Sequence, residues 1–163
     1  MVNKMKNKTA LIFGISGMDG SHLSDLLLSK DYTIFGSMRR HSSPEFQAER
    51  IEHIKNEINI EYCDITDNSS VESIIRKSNP DEIYLLAAQS HVKISFDLPE
   101  HTIHTNCIGT MNVLENFRKF SPNAKLYFAG SSEMFGNNID SDGFQRETTP
   151  MTPVSPYGCS KVF

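Results

Sequence analysis

The stretch from Thr9 to Gly20, TALIFGISGMDG, constrains this chain more than any other. Thr9 to Gly14 is a short apolar run, which suits a strand buried on both faces, as strands of parallel sheets are. It leads into Gly14-Ile15-Ser16-Gly17-Met18-Asp19-Gly20, and from Gly20 to Ser29 the leucines Leu23, Leu26 and Leu27 recur at helical spacing. A strand that passes through glycines directly into a helix predicts a tight βα turn. Gly14 allows the sharp turn, Gly17 allows backbone to approach a ligand, and Gly20 allows helix and strand to pack closely. The first N–H groups of such a helix, at the positive end of its dipole, suit an anion. The spacing is GxxGxxG rather than GxGxxG, and a glycine triplet alone reads equally as a bare turn. It is the strand-to-helix setting that points to a bound pyrophosphate.

The rest of the chain repeats the alternation. Tyr32 to Met38, Ile58 to Cys63, Glu82 to Ala88 and Lys125 to Ala129 predict further strands. Val71 to Ser78 predicts a helix with Asp67 or Ser69 near its start as a cap. Asn106 to Phe120 predicts another, with Met111, Leu114 and Phe117 on one face. Strands separated by helix-length spacers imply an α/β fold, a doubly wound parallel sheet of Rossmann type. Asn137 to Pro156, rich in Asp, Asn, Thr and Pro, predicts a surface loop over a binding crevice. A complete protein of this architecture has further strands and a substrate region. Residues 1–163 are therefore expected to be one nucleotide-binding domain, incomplete at its C-terminal end, with the substrate domain absent.

Composition removes several classes of function. The formal net charge is -4, so no basic field invites nucleic acid. No apolar run is long enough to cross a membrane, and Met1 to Lys8 lacks the apolar core of a signal peptide. The three cysteines, Cys63, Cys107 and Cys159, are odd in number and widely spaced, which predicts neither a disulfide framework nor a zinc site. Cytoplasm is the expected compartment.

The end of the second strand bears on the cofactor. Enzymes that bind NAD often place a carboxylate there for the ribose hydroxyls, but this chain has Met38-Arg39-Arg40. Paired guanidiniums suit the additional phosphate of NADP through charge and forked donors. The bland alternative is a solvated pair or a subunit contact. Asp64 and Ile65 follow the third strand, where an adenine ring would lie. Leu86-Ala87-Ala88-Gln89-Ser90 follows the fourth, and its small residues leave room for ribose and phosphate. Both lie at carboxyl ends of strands, where ligands of open α/β sheets collect.

Tyr157 and Lys161, spaced i, i+4, share one face of a helix starting near Pro156. A phenol is a poor base, with a pKa of about 10. An adjacent ammonium and a positive nicotinamide ring favour its phenolate, which can then take a hydroxyl proton as hydride leaves the same carbon. The alternative is a surface helix pair. Ser131-Ser132-Glu133 follows the fifth strand. Ser131 can hydrogen-bond the oxygen being oxidised. Glu133 adds a carboxylate that a simple dehydrogenase does not need. It can remove the proton made acidic beside a new ketone. It reads equally as the partner of a structural salt bridge. His91 is expected to shape a loop, and His22 to sit on the first helix.

The glycine loop with Tyr157 and Lys161 resembles the extended short-chain dehydrogenase/reductase family. Within it, Arg50-Ile-Glu-His53, the run from Ala88 to Leu98 (AQSHVKISFDL) and Ser155-Pro-Tyr-Gly158 resemble the GDP-mannose 4,6-dehydratases. The resemblance implies conversion of GDP-mannose to GDP-4-keto-6-deoxymannose and water, with NADP regenerated each turnover. It implies catalytic roles for Ser131, Glu133, Tyr157 and Lys161. It also implies cofactor contacts from Gly14 to Asp19, from Arg39 through Arg40, His41 and Ser42, from Asp64 and Ile65, and from Leu86 to Ser90. Dimers or tetramers of the full-length form are implied as well. Ser131 stands where many members have threonine, and His101 where a tyrosine is expected. Two rivals remain: a nucleotide-sugar epimerase, which would not require Glu133, and a non-catalytic NADP-binding piece.

Overall fold

The computed structural model describes residues 7–40 and 48–163. Five strands, β1 (Thr9–Phe13), β2 (Thr33–Met38), β3 (Asn59–Tyr62), β4 (Glu82–Leu85) and β5 (Lys125–Phe128), form one sheet in the order β3-β2-β1-β4-β5. Every pairing is parallel. Helix α1 (Met18–Leu28) joins β1 to β2, and α2 (Asn68–Ser78) joins β3 to β4. Between β4 and β5 run α3 (Val92–Asp97), α4 (Pro99–Ile103), a π-helical turn (His104–Ile108) and α5 (Gly109–Phe120). A 3-10 turn (Ser132–Phe135) and α6 (Pro156–Val162) follow β5.

The period-2 pattern of β1 explains the double winding. Leu11 and Phe13 point to one face and pack with Ile83, Leu85, Val71, Ile74, Ile75 and Val113. Ala10 and Ile12 point to the other and pack with Ile34, Leu27, Ile51 and Ile54. Each fully buried aliphatic or aromatic side chain contributes roughly 1.5–3 kcal/mol, so a strand buried on both faces anchors both layers at once. Helix α2 shows how local sequence sets an element. Asp67 caps it by accepting from the Ser69 amide at 3.1 Å. Val71, Ile74, Ile75 and Ser78 form its buried stripe, and left-handed Asn79 (φ 40°) ends it before Pro80.

Three expectations differ from the structure. Met111 and Leu114 are each 43% exposed, while the buried face of α5 is Gly109, Asn112, Val113 and Asn116. Close packing and amide bonding turn the helix that way. A Cβ at Gly109 would meet Ile65 Cδ1 at 2.6 Å. Asn112 Nδ2 donates to the Ile65 carbonyl at 2.9 Å, and Asn116 Nδ2 to Asn68 Oδ1 at 2.8 Å. Only Phe117 of the expected stripe packs on the core. On α1, Leu27 is buried but Leu26 is exposed, because Gly20 and Ser24 share the sheet-facing side; His22 lies on the exposed side. The loop after residue 136 is a surface loop, yet it closes on itself. Arg146 pairs with Asp140 and Asp142, and Asn138 Nδ2 donates to the Pro150 carbonyl at 2.8 Å and to Thr152 Oγ1 at 2.7 Å.

Candidate functional site

The strand order reverses between β1 and β4, so the turns leaving their carboxyl ends diverge there. A crevice of about 540 Å³ opens at that point. Its floor is the glycine loop. Gly14 has φ +88°, and a Cβ there would meet the Ala87 amide nitrogen at 3.0 Å, so the loop and the β4 turn touch through backbone. A Cβ at Gly20 would collide with the Gly14 carbonyl oxygen and meet Ile15 Cα at 2.8 Å. A Cβ at Gly17 would meet only the Gly14 oxygen, at 3.3 Å, so this glycine faces open space. Helix α1 begins here without a side-chain cap. The amides of Met18, Asp19 and Gly20 therefore find no acceptor among the described residues. An open backbone cradle with unspent donors is what a pyrophosphate requires.

The other expected cofactor residues divide into four groups. Ser16, Arg39, Ile65, Leu86, Ala87, Ala88 and Ser90 line the crevice with the glycines. Ile15, Asp64 and Gln89 support it from behind. The Ile15 side chain is buried against Gly36, and its amide donates to the Ser37 carbonyl at 3.3 Å. Asp64 Oδ1 accepts from the Thr66 amide at 2.9 Å and from its hydroxyl at 2.8 Å. Gln89 Oε1 accepts from the His91 amide at 2.6 Å, and its Nε2 donates to Thr102 Oγ1 at 3.0 Å. His91 itself caps α3, its Nδ1 accepting from the Ile94 amide at 3.4 Å, which is a loop-shaping role. His41 and Ser42 lie outside the described residues.

Arg40 belongs to an adjoining depression of about 490 Å³, which also takes in Arg39, Tyr62, Asp64 and Asp67. Neither guanidinium forms an ion pair among the described residues. Hydrogen bonds from the Ser69 side chain and amide hold Asp67 below the usual carboxylate range, and Asp64 is tied into its own turn. Two cationic forks thus line the depression with no ion pair among the described residues, while the Asp64 and Asp67 carboxylates beside them accept hydrogen bonds from Thr66 and Ser69.

Helix α6 forms the opposite wall. Ser155 caps it, its Oγ accepting from the Gly158 amide at 2.9 Å, and Pro156 occupies the first turn. Tyr157 and Lys161 stand one turn apart on that wall, 8% and 6% exposed. The surface-pair alternative is excluded by that burial. Lys161 Nζ donates to the Ala129 carbonyl at 2.8 Å and lies 4.7 Å from the centroid of the Phe128 ring. Burial pulls its pKa below the ordinary lysine value. Ser131 and Glu133 are not among the lining residues; they follow Gly130, which is. Ser131 Oγ accepts from the Glu133 amide at 3.2 Å, starting the 3-10 turn. The Glu133 carboxylate accepts from Ser155 Oγ at 3.5 Å and forms no salt bridge among the described residues. His101 is exposed on α4, away from the lining.

Several contributors escape sequence reasoning. Ser37, Cys63, Thr105 and Ala129 line the crevice. Ser37 Oγ accepts from the Gly14 amide at 3.3 Å, and its signal is a hydroxyl near the carboxyl end of a largely apolar strand. Burial pushes the Cys63 thiol up to about 11, against the lowering bond from Ser70, which disfavours a nucleophilic thiolate at neutral pH. Asn106 is buried in the π-helical turn. It donates to the Gln89 carbonyl at 3.0 Å and to Ser160 Oγ at 2.8 Å, which ties the β4 turn to α6. No group of His, Cys, Asp and Glu with metal-site geometry occurs among the described residues.

Comparison with known proteins gives the family and the fold. A family model described as GDP-mannose 4,6 dehydratase matches residues 11–163. The GDP-mannose 4,6 dehydratase of Drosophila melanogaster is 42% identical over 97% of this chain and 42% of its own length. That of Homo sapiens is 42% identical over 94% of the chain and 43% of its own length. The chain thus spans less than half of these relatives. Among solved structures, a UDP-glucose 4-epimerase of Thermus thermophilus in complex with NAD superposes with a TM-score of 0.81 at 27% identity, covering 94% of this chain and 47% of that one. A UDP-glucose 4-epimerase from Bifidobacterium longum in complex with NAD+ and UDP gives 0.81 at 25% identity, covering 94% and 46%.

Proposed function

Because the chain belongs to the GDP-mannose 4,6-dehydratase family, we propose that its parent protein converts GDP-mannose to GDP-4-keto-6-deoxymannose and water, with NADP held in the crevice. The observation that carries this reading is the pairing of Tyr157 and Lys161, both buried, across from an uncapped helix start and a glycine cradle. Gly17 and the amides of Met18, Asp19 and Gly20 would hold the pyrophosphate. Arg39 and Arg40 would hold the additional phosphate, which separates NADP from the NAD named for the epimerase neighbour. His41 and Ser42 would extend that contact.

When bound, the cofactor supplies a hydride acceptor that later serves as the donor. The chain's own groups manage the protons. Tyr157, as phenolate, takes the proton of the carbon 4 hydroxyl. Lys161 favours that phenolate by its charge. Ser131 donates a hydrogen bond to the same oxygen. Glu133 takes the proton from carbon 5, acidified by the ketone at carbon 4, and passes it to the carbon 6 hydroxyl, which leaves as water; when hydride returns to carbon 6, Tyr157 gives its proton to carbon 5. The freedom of Glu133 from any cationic partner among the described residues supports this role over a structural one. A shift of its side chain from Ser155 toward the crevice is part of the proposal.

The 163 residues are, in this reading, the cofactor-binding domain, and sugar-nucleotide binding is assigned to the length of the relatives that the chain does not span. This chain alone binds cofactor without turnover. A dimer or tetramer of the whole protein is part of the same proposal. No helix among the described residues is long and apolar enough to cross a membrane, and cytoplasm is the proposed compartment. The test is to incubate the full-length protein with GDP-mannose and analyse the product. A 6-deoxy-4-ketose lighter by one water is expected. An epimer of unchanged mass, or unchanged substrate with intact bound NADP, overturns the proposal.

A further inference from the structure

The buried lysine on α6 is held in an unusual way. Lys161 is 6% exposed, and no carboxylate pairs with it among the described residues. Taking an ammonium out of water opposes its charged form, so something must replace the lost hydration if the charge is to persist at neutral pH. Two groups at the end of β5 are in place to do so. The Ala129 carbonyl oxygen accepts one N–H at 2.8 Å. The Phe128 ring lies 4.7 Å from Nζ, well inside the range at which the negative face of an aromatic ring attracts a cation. Phe128 is partly buried and packs against the core cluster that includes Leu85 and Val113, so packing braces the ring.

We propose that Phe128 is a positioning residue of this site, whose ring face joins the Ala129 carbonyl in holding the Lys161 ammonium charged at the crevice wall. This rests on the reading of Lys161 as the partner of Tyr157. The contact gives β5 two tasks: its last side chain closes the core and supplies the electrostatic surface on which the lysine rests. An aliphatic side chain of similar size would do only the first. The titratable groups on the elements packed against α6 are Lys93 and Asp97 of α3, Glu100 and His101 of α4, His104 and Cys107 of the π-helical turn, and Glu133 of the 3-10 turn; Tyr157 and Cys159 lie on α6 itself. Burial, and none of these charges, lowers the pKa of Lys161. The ring therefore acts against desolvation alone.

The test is an NMR titration of the chain labelled with 13C at the lysine Cε, with the Lys161 signal assigned by its loss in Lys161→Arg. In Phe128→Leu, Lys161 should release its proton about one pH unit lower, a roughly tenfold weaker hold. Phe128→Tyr, which keeps the ring face, should restore the wild-type titration. Should the leucine variant fail to fold, 3,5-difluoro- and pentafluorophenylalanine at position 128 keep the shape and weaken the ring face, and should lower the titration in that order. Identical titration of Lys161 in wild type, the leucine variant and the fluorinated series overturns the proposal. The measurement uses neither substrate nor cofactor. A protein that fails to dehydrate GDP-mannose would leave its result standing, and a normal dehydratase could still refute it.

Discussion

The two ends of the sheet use polar residues in opposite ways. At the amino end, Glu82 of β4 is surrounded: Oε1 accepts from Lys8 Nζ at 3.0 Å and from the Tyr32 hydroxyl at 3.2 Å, and Oε2 accepts from the Tyr84 hydroxyl at 2.8 Å. Lys8, Tyr32 and Tyr84 each donate to the one carboxylate there. At the carboxyl end, the first amides of α1 and the guanidiniums of Arg39 and Arg40 have no such partners among the described residues. The same strands run through both ends, so the contrast does not come from the strands themselves. It comes from what adjoins them, an uncapped helix start and two arginines without ion pairs among the described residues at one end and a ring of bonded side chains at the other, and it separates a structural clamp from a site built to receive a ligand.

Substitutions at each end can break or sharpen that contrast. The largest effect is expected at Tyr157. In the full-length protein, Tyr157→Phe should lower kcat by about 10²–10⁴, with cofactor still bound, because it removes only the proton acceptor. Retained turnover would put the chemistry elsewhere. Gly20→Val should come next. The new side chain collides with the Gly14 carbonyl and Ile15, so about 1–3 kcal/mol of stability should be lost, together with cofactor binding. Thermal unfolding and cofactor titration check both. Third, Arg39→Ala with Arg40→Ala should lower NADP affinity about tenfold or more, as charge-assisted bonds to a phosphate are worth about 1.5–3 kcal/mol, while NAD affinity hardly moves.

The smallest effect belongs to the amino end, and its signature is a pH dependence without a ligand dependence. Burial pushes the Glu82 carboxyl up, but bonds from Tyr84, Lys8 and Tyr32 and the charge of Lys8 outweigh it, so its folded pKa lies below the ordinary value. The stability it contributes is therefore present above the ordinary glutamate value of about 4.3. It is lost as pH falls through the lower folded value. Glu82→Gln should cost about 1 kcal/mol near neutral pH, flatten the acid limb of the stability curve and leave cofactor affinity unchanged. Burial and Glu82 also push the Tyr84 hydroxyl up to about 12, which the substitution should partly reverse.

Sequence made the carboxyl end legible because glycine is read through backbone geometry. Gly14 and Gly20 are fixed by a positive φ and by a close approach that no side chain allows, and these requirements are local. Tyr157 and Lys161 were legible for a similar reason, since helical spacing alone puts them on one face. The orientation of α5 was not legible. Met111 and Leu114 look like a core stripe, but amide bonds from Asn112 and Asn116 to residues far along the chain decide the rotation. Ser37, Thr105 and Asn106 were hidden likewise, because their value comes from neighbours the fold brings together. Nor could the sequence distinguish Gln89, which braces the crevice from behind, from Ser90, which lines it.

Calorimetric titration of this chain with NADP+ and with NAD+ tests most directly whether its unpaired end receives a phosphate-bearing dinucleotide. Binding of NADP+ at least about tenfold tighter than NAD+ is expected, with the two affinities converging when Arg39 and Arg40 are both replaced by alanine. Equal affinities in the unaltered chain, tighter binding of NAD+, or no binding of either would contradict it.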